Sequence, residues 1–288
     1  MKPLVKYQGG KSRELKIISR MMPKDFNRIV EPFCGGAAVS FHVGKPAVLC
    51  DTNWDVINLY REVSSNQGLR RLCQETQRMR EMDHDQLEEK YYDARNDINL
   101  KFDPEMQNYW SRAISYVIVR QLCFSGMERY NAKGEFNVPF GHYKRFACNL
   151  EHSTSGAYQS MLDKSTLLHG DFELALNEAT ADDFVFIDPP YLDRLGYHSG
   201  DGSDDVHSRL VTHLKDAPYK WMIVHSDHEF YREQYKDFNI MTKDFTYAQR
   251  FGKNKDHGGA KVQHLYITNY DVLPETPPQA STSVLNHL

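Results

Sequence analysis

The chain has 288 residues, 40% of them hydrophobic and 26% charged, so it can bury a full core as one large domain with an insertion or as two small ones. No stretch approaches the roughly 18 apolar residues of a membrane span. Met1-Lys2-Pro3-Leu4 lacks the apolar region of a signal peptide, so a cytoplasmic protein with no membrane partner is expected.

A net charge of −4 argues mildly against a nucleic-acid partner, but the charge is segregated. Arg112, Arg120, Arg129, Lys133, Lys144 and Arg145 are accompanied in their stretch only by Glu128 and Glu135, and Arg250, Lys253, Lys255 and Lys261 form a second basic cluster. Both regions could meet phosphates. Five cysteines with no Cys-x-x-Cys spacing read as reduced, packed thiols, and His225 and His228 have no ligand cluster around them, so no metal is expected.

In chain order, Lys6-Tyr7-Gln8-Gly9-Gly10-Lys11 presents backbone N–H groups and a cation ahead of a helix, a combination suited to a carboxylate or other anion. Ser12 is the expected N-cap, Leu15, Ile18 and Met22 share a face, and Pro23 stops the helix. Arg28–Glu31 reads as a strand, Pro32–Ala38 as a glycine-rich turn into a helix, and Ala47–Asp51 as a second strand. Asp51 lies 20 residues beyond Glu31, a distance typical of a carboxylate that binds ribose hydroxyls. The turn holds Gly35-Gly36-Ala37 and not Gly-x-Gly-x-x-Gly, which favours a nucleoside cofactor over a pyrophosphate one. S-adenosylmethionine has a ribose, an amino-acid end and no phosphate.

From Trp54 to about Glu105 the chain reads as charged helices, solvated over 71–103 and assigned no chemistry, followed by a core stripe of Trp110, Ala113, Ile114, Val117, Ile118 and Gln121. Phe124–Asn131 and Phe136–Gly141 bracket a turn at Ala132-Lys133-Gly134 and predict a β-hairpin with interleaved cations and aromatics. Such a ribbon suits a DNA groove, where Arg grips guanine and an aromatic enters a base step; it also suits an ordinary surface. Leu167–Phe172 ends a strand in Asp171-Phe172, placed for an adenine amino group and ring.

Phe184–Ile187 is a continuous apolar run, the pattern of a parallel strand buried on both faces, and Asp188-Pro189-Pro190-Tyr191 turns the chain out at its end. Open α/β sheets bind ligands at that edge. Asp188 can accept one hydrogen bond from an amino group, the Pro189 carbonyl can accept a second, and Tyr191 can stack a planar heterocycle. An exocyclic nucleobase amine fits all three, with its lone pair left to meet a methyl donor. Lys220–His225 and Val262–Tyr270 supply later strands, and 273–288 reads as a mobile tail.

Taken together, Lys6–Lys11, Glu31–Ala37, Arg129–Gly141, Asp188–Tyr191 and Leu265–Tyr270 resemble the Dam-type DNA adenine-N6 methyltransferases. The resemblance implies an α/β, Rossmann-like seven-stranded methyltransferase sheet. Residues 1–55 and 160–272 would be catalytic, and 56–159 a helical and β-hairpin DNA-recognition region. It also implies S-adenosylmethionine, converted to S-adenosylhomocysteine, held by Tyr7, Lys11, Phe33, Gly35, Gly36, Asp51, Asp171, Phe172 and Asp188. Double-stranded DNA would meet Phe124 as a wedge, Arg129 as guanine reader, Met127 and Pro139 near bases, and Ser125, Asn131, His142 and Lys144. The flipped adenine would rest on Tyr191.

The family commonly acts at GATC. Here Phe124-Ser125-Gly126-Met127-Glu128 stands where those enzymes usually carry Tyr-Asn-Gly-Leu-Cys, and His142 where Arg is usual, so a related short site is equally open. A cognate restriction enzyme is a possible partner. Competing readings are methylation of an RNA base amine or a protein glutamine amide, and a DNA-binding regulator without catalysis.

Overall fold

Apolar runs such as Ala47–Cys50 and Phe184–Ile187, each followed by an acid, become central strands of one sheet. The structure is a computed structural model that describes residues 1–100, 109–150, 155–192, 203–247 and 260–272. Among them are β1 (Ile29–Glu31), β2 (Ala47–Asp51), β3 (Thr166–His169), β4 (Phe184–Ile187), β5 (Lys220–Ser226), β6 (Asn239–Tyr247) and β7 (Ala260–Thr268). They order β3-β2-β1-β4-β5-β7-β6, with β1 to β5 parallel and β7 antiparallel to both neighbours. This is a mixed seven-stranded sheet of the α/β class, consistent with the expected Rossmann-like methyltransferase fold.

The order decides where a ligand can sit. Chain progression runs outward from β1 to β3 on one side and from β4 to β5 on the other, so β1 and β4 flank the switch point where a crevice opens at the strands' C-terminal ends. Glu31 ends β1 and Asp188 follows β4. The β4 run is buried on both faces: Phe184 and Phe186 pack with Ile29, Leu49 and Met222, while Val185 and Ile187 pack with Val30, Val48 and Ile223. Trp221 anchors the second face at 0% exposure.

The helices are α1 (Leu15–Met21), α2 (Ala38–Val43), α3 (Trp54–Ser64), α4 (Asn66–Arg80), α5 (His84–Asn99), α6 (Tyr109–Leu122), α7 (Ser155–Leu162), α8 (Glu173–Glu178), α9 (Ser203–Lys215) and α10 (Glu229–Gln234). Ser12 does not cap α1. Lys11–Arg13 form a single tighter turn, Glu14 takes the cap position without a side-chain bond, and the helix ends at Met21 before extended Met22 and Pro23.

Residues 71–100 are not simply solvated, and 101–103 lie outside the described residues. Leu72, Cys73, Thr76 and Met79 of α4 and Leu87, Tyr91 and Ala94 of α5 are buried, and α5 carries an Asp83/Gln86 capping box. Every residue of α6 from Ala113 to Leu122 is buried, a helix enclosed on all sides and not a single apolar stripe.

The expected hairpin is a narrow antiparallel loop held by the isolated bridges Cys123↔Phe140 and Tyr130↔Phe136, without a continuous ladder. Its alternation survives: Phe136, Val138 and Phe140 point inward and Pro139 outward. All five cysteines are buried, and none is in a disulfide. Among the described residues no helix is long and apolar enough to cross a membrane, and no cluster of potential metal ligands occurs. Arg250, Lys253, Lys255 and the 273–288 tail lie outside the described residues, as does the side chain of Lys261.

Candidate active site and DNA-facing surface

At the switch point, Lys11 Nζ donates to Asp188 Oδ2 at 2.5 Å and to the Gly9 carbonyl at 3.1 Å. The ammonium is 4% exposed and the carboxylate 20% exposed, so Asp188 is the half of the pair that can still be reached. Lys11 was expected to meet a cofactor carboxylate; its charge is instead taken up by Asp188. Burial raises the Asp188 carboxyl above its ordinary range and the Lys11 charge pulls it back. Pro189 is buried, Pro190 exposed, and Tyr191 9% exposed.

The Tyr191 ring is covered in this conformation. It tilts against His225 at 4.7 Å, meets the edge of His264 at 5.6 Å, and has Lys11 Nζ 5.1 Å from its centroid. The expected open stacking platform therefore becomes available only if the ring or its cover moves.

The glycine-rich turn is gripped from three sides. Asp51 Oδ2 accepts from Gly35 N at 2.8 Å and Oδ1 from Asn53 N at 2.8 Å, while Tyr60 donates to the Gly35 carbonyl at 2.6 Å. Gly35 has φ +43°, and a Cβ there would stand 2.6 Å from the Tyr7 ring; at Gly36 it would stand 2.9 Å from the Tyr7 Cβ. The need for glycine thus comes from the approach of Tyr7 as well as from any ligand. Asp51 retains further lone pairs for a ribose.

At the far end of the turn, Phe33 stacks on Phe172 at 5.2 Å and the Arg209 guanidinium lies 4.7 Å from the Phe172 centroid. Phe172 is 2% exposed, so the half-buried Phe33 is the more accessible ring. Asp171, expected to take an adenine amine, is already paired with Arg209 at 2.7 Å.

The basic stretch divides. Arg112 is internal, paired with Asp55 at 2.6 Å and donating to the carbonyls of Asp97, Ile98 and Leu100. Arg120 is 2% exposed and donates to the carbonyls of Lys6, Gly126 and Met127 at 3.0, 3.0 and 3.1 Å. Neither can serve as the surface cation expected from the charge pattern.

Phe124, Ser125, Arg129, Pro139, His142 and Lys144 are exposed, and Met127 is half-buried. Arg129 is fixed by Asn137, through Nε to Oδ1 at 2.7 Å and Nη2 to the carbonyl at 2.8 Å. Glu128 accepts from Tyr130 OH at 2.9 Å and lies 3.9 Å from Arg120, which accounts for an acid beside the expected reading arginine. Asn131 builds the turn: Oδ1 accepts from the N–H groups of Lys133 and Glu135, and its amide donates to Glu135. The expected DNA contact at Asn131 therefore competes with these bonds.

The family model of D12 class N6 adenine-specific DNA methyltransferases matches residues 7–249. The chain belongs to that family. A Type II methyltransferase, M.CviBI, from Paramecium bursaria Chlorella virus NC1A is 33% identical over 94% of this chain and 100% of its own. Type II methyltransferase M1.LlaDCHI of Lactococcus lactis subsp. cremoris is 31% identical over 94% and 96%. The DNA adenine methylase of Haemophilus influenzae is 30% identical over 66% and 64%.

Within this DNA adenine-N6 methyltransferase, several buried or half-buried polar residues escaped the sequence reading. Tyr91, Arg95 and Asn99 of α5 bind the backbone of Phe136 and Val138, so the helix assigned no chemistry supports the loop expected to meet DNA. Glu14 accepts from His264 at 2.9 Å and Tyr266 at 2.6 Å beside the Asp188 pair. Burial raises the Glu14 carboxyl, but these bonds and Lys11 outweigh it and hold the group below its usual range. The same-face spacing of His264 and Tyr266 in an apolar strand was the available signal.

Glu31, 3% exposed, accepts from Ser40 N at 2.7 Å, and burial pushes its carboxyl from 4.5 up to about 7. Between those values the folded state holds the proton longer than the unfolded state, so Glu31 makes stability fall as pH rises, by about 3 kcal/mol. Glu31→Gln cannot ionise and is expected to lose that slope: its urea midpoint gains on wild type between pH 5 and pH 8. Parallel pH dependence in both proteins contradicts the assignment. Asp51 and Asp188, also raised by burial, contribute the same slope to both.

Proposed function

We propose that this methyltransferase carries a methyl group directly from S-adenosylmethionine to N6 of an adenine flipped out of duplex DNA, at GATC or a related short site. The observation that carries the reading is the reachable Asp188 carboxylate at the switch point, held by buried Lys11. S-adenosylmethionine would supply a methyl activated on a sulfonium.

The chain's own residues supply position and charge. Asp188 accepts one N–H of the adenine amine and the Pro189 carbonyl the other, which aims the nitrogen lone pair out of the ring plane at the donor. Lys11 keeps the Asp188 carboxylate oriented and ionised as positive charge grows on the nitrogen. Tyr191 takes a ring face of the base once uncovered, and the proton leaves N6 during or after transfer. The fit of the cofactor region is supported by Asp51, fixed by two backbone N–H groups, and by the accessible Phe33 ring above the gripped turn.

Residues 56–159 are the proposed recognition region, with Arg129 presented by Asn137 to a guanine, and Phe124, 49% exposed, as the wedge. A cognate restriction enzyme belongs to the proposal because two relatives are named Type II methyltransferases. The test compares tritiated methyl incorporation into duplex DNA, RNA and protein. Incorporation into duplex DNA alone is expected, and preferential labelling of RNA or protein would overturn the reading.

A further inference from the structure

We infer that His225 is a positioning residue for methyl transfer, its neutral imidazole fixing the chain directly after Asp188-Pro189-Pro190-Tyr191. The inference rests on the reading of Asp188 and Tyr191 given above.

His225 lies on β5, adjacent to β4 in the sheet, and is 0% exposed. The Leu192 N–H donates to its Nε2 at 3.2 Å, and its Nδ1 lies 2.8 Å from the Ser226 carbonyl oxygen. A backbone N–H can only donate and a carbonyl oxygen can only accept. The two contacts together therefore fix one tautomer, with the proton on Nδ1 and the lone pair on Nε2.

The ring is also held on its faces. It stacks on Tyr231 of α10 at 4.0 Å and meets the edge of His207 of α9 at 5.7 Å, while His207 Nδ1 and Tyr231 OH are hydrogen-bonded at 2.6 Å. Tyr191 lies against it at 4.7 Å. The imidazole thus touches the stacking tyrosine and bonds the next residue's backbone.

Other groups around it are Ser226 Oγ, 3.3 Å from Nδ1, and the Glu14–His264 pair, with His264 on β7 against Tyr191. The Lys11–Asp188 pair also lies against Tyr191, with Lys11 Nζ 5.1 Å from its centroid. Protonation of His225 places a hydrogen on Nε2 against the Leu192 N–H, two donors face to face, and releases the segment. Methyl transfer should therefore fall as pH drops through the ionisation of this imidazole.

The test measures kcat on duplex DNA between about pH 5 and 8 for wild type, His225→Phe and His225→Gln, with S-adenosylmethionine affinity and melting followed in parallel. His225→Phe keeps an aromatic ring but cannot accept, and is expected to lose about tenfold in kcat, the rate equivalent of one hydrogen bond, with cofactor affinity within about twofold of wild type. His225→Gln places an amide oxygen at the reach of Nε2, and is expected to keep kcat at pH 8 within about threefold while declining less in acid than wild type, since protonation of Asp188 is common to both.

Wild-type kcat in a folded His225→Phe, or an unchanged acid decline in His225→Gln, would overturn the inference. If His225→Phe does not fold, the His225→Gln profile decides. Asp188→Asn assayed alongside separates the two layers. If it keeps the wild-type rate, the reading of the site fails. If it is impaired while His225→Phe is not, only the role of His225 fails.

Discussion

Asp188→Asn is expected to lower kcat for adenine methylation by about 10²- to 10³-fold, while S-adenosylmethionine affinity changes by less than about tenfold. The substitution preserves volume but removes the negative charge that complements a nitrogen becoming positive, and replaces one acceptor oxygen with a donor. Asn is more informative than Ala here. Asp188→Ala should abolish transfer too, but it leaves the 4% exposed Lys11 ammonium without its carboxylate, at a cost of about 3–5 kcal/mol, and so mixes instability with lost chemistry. Single-turnover rates at saturating cofactor and DNA make the comparison, and a variant rate within about threefold of wild type would remove Asp188 from the mechanism.

Arg120→Met should be among the most destabilising single changes in the molecule, on the order of 3–5 kcal/mol. The guanidinium joins Lys6 to Gly126 and Met127 of the proposed recognition loop, lies 3.9 Å from Glu128, and sits 5.4 Å from the Tyr7 centroid. Removing it leaves three carbonyls short of a donor and Glu128 without its nearby positive charge. Affinity for duplex DNA should fall with stability, because the loop bearing Phe124 to Arg129 loses its internal tie. Arg120→Lys should recover little, since one ammonium cannot reproduce a planar fork that meets three separated carbonyls. Urea unfolding and DNA binding measure both effects, and an Arg120→Met protein that unfolds like wild type would contradict the role.

Arg120 also marks where sequence reading stops. Its charge was visible, but a count of cations in a stretch does not say which of them turn inward, so Arg112 and Arg120 were grouped with true surface cations. By contrast, Phe184–Ile187 and the acid after it were legible because a fully apolar run with two prolines behind it has few structural solutions. The glycine turn was legible for the same reason, although its tight neighbour proved to be Tyr7. The Lys11–Asp188 pair spans 177 residues, from the tight turn before α1 to the residue after β4. Local pattern carries no information on that distance. The hairpin was half legible: its inward alternation was real, but in place of a continuous ladder it is held by two isolated bridges, a few backbone bonds and α5 side chains.

The most direct test of the central claim is to incubate unmethylated duplex DNA with the protein and S-adenosylmethionine and to map N6-methyladenine by single-molecule sequencing. N6-methyladenine confined to one short site is the predicted result. If that site is GATC, Phe124, Ser125, Met127, Glu128 and His142 are tolerated variants of the reading surface; another short site makes them its determinants. DNA that emerges with no N6-methyladenine would contradict the account.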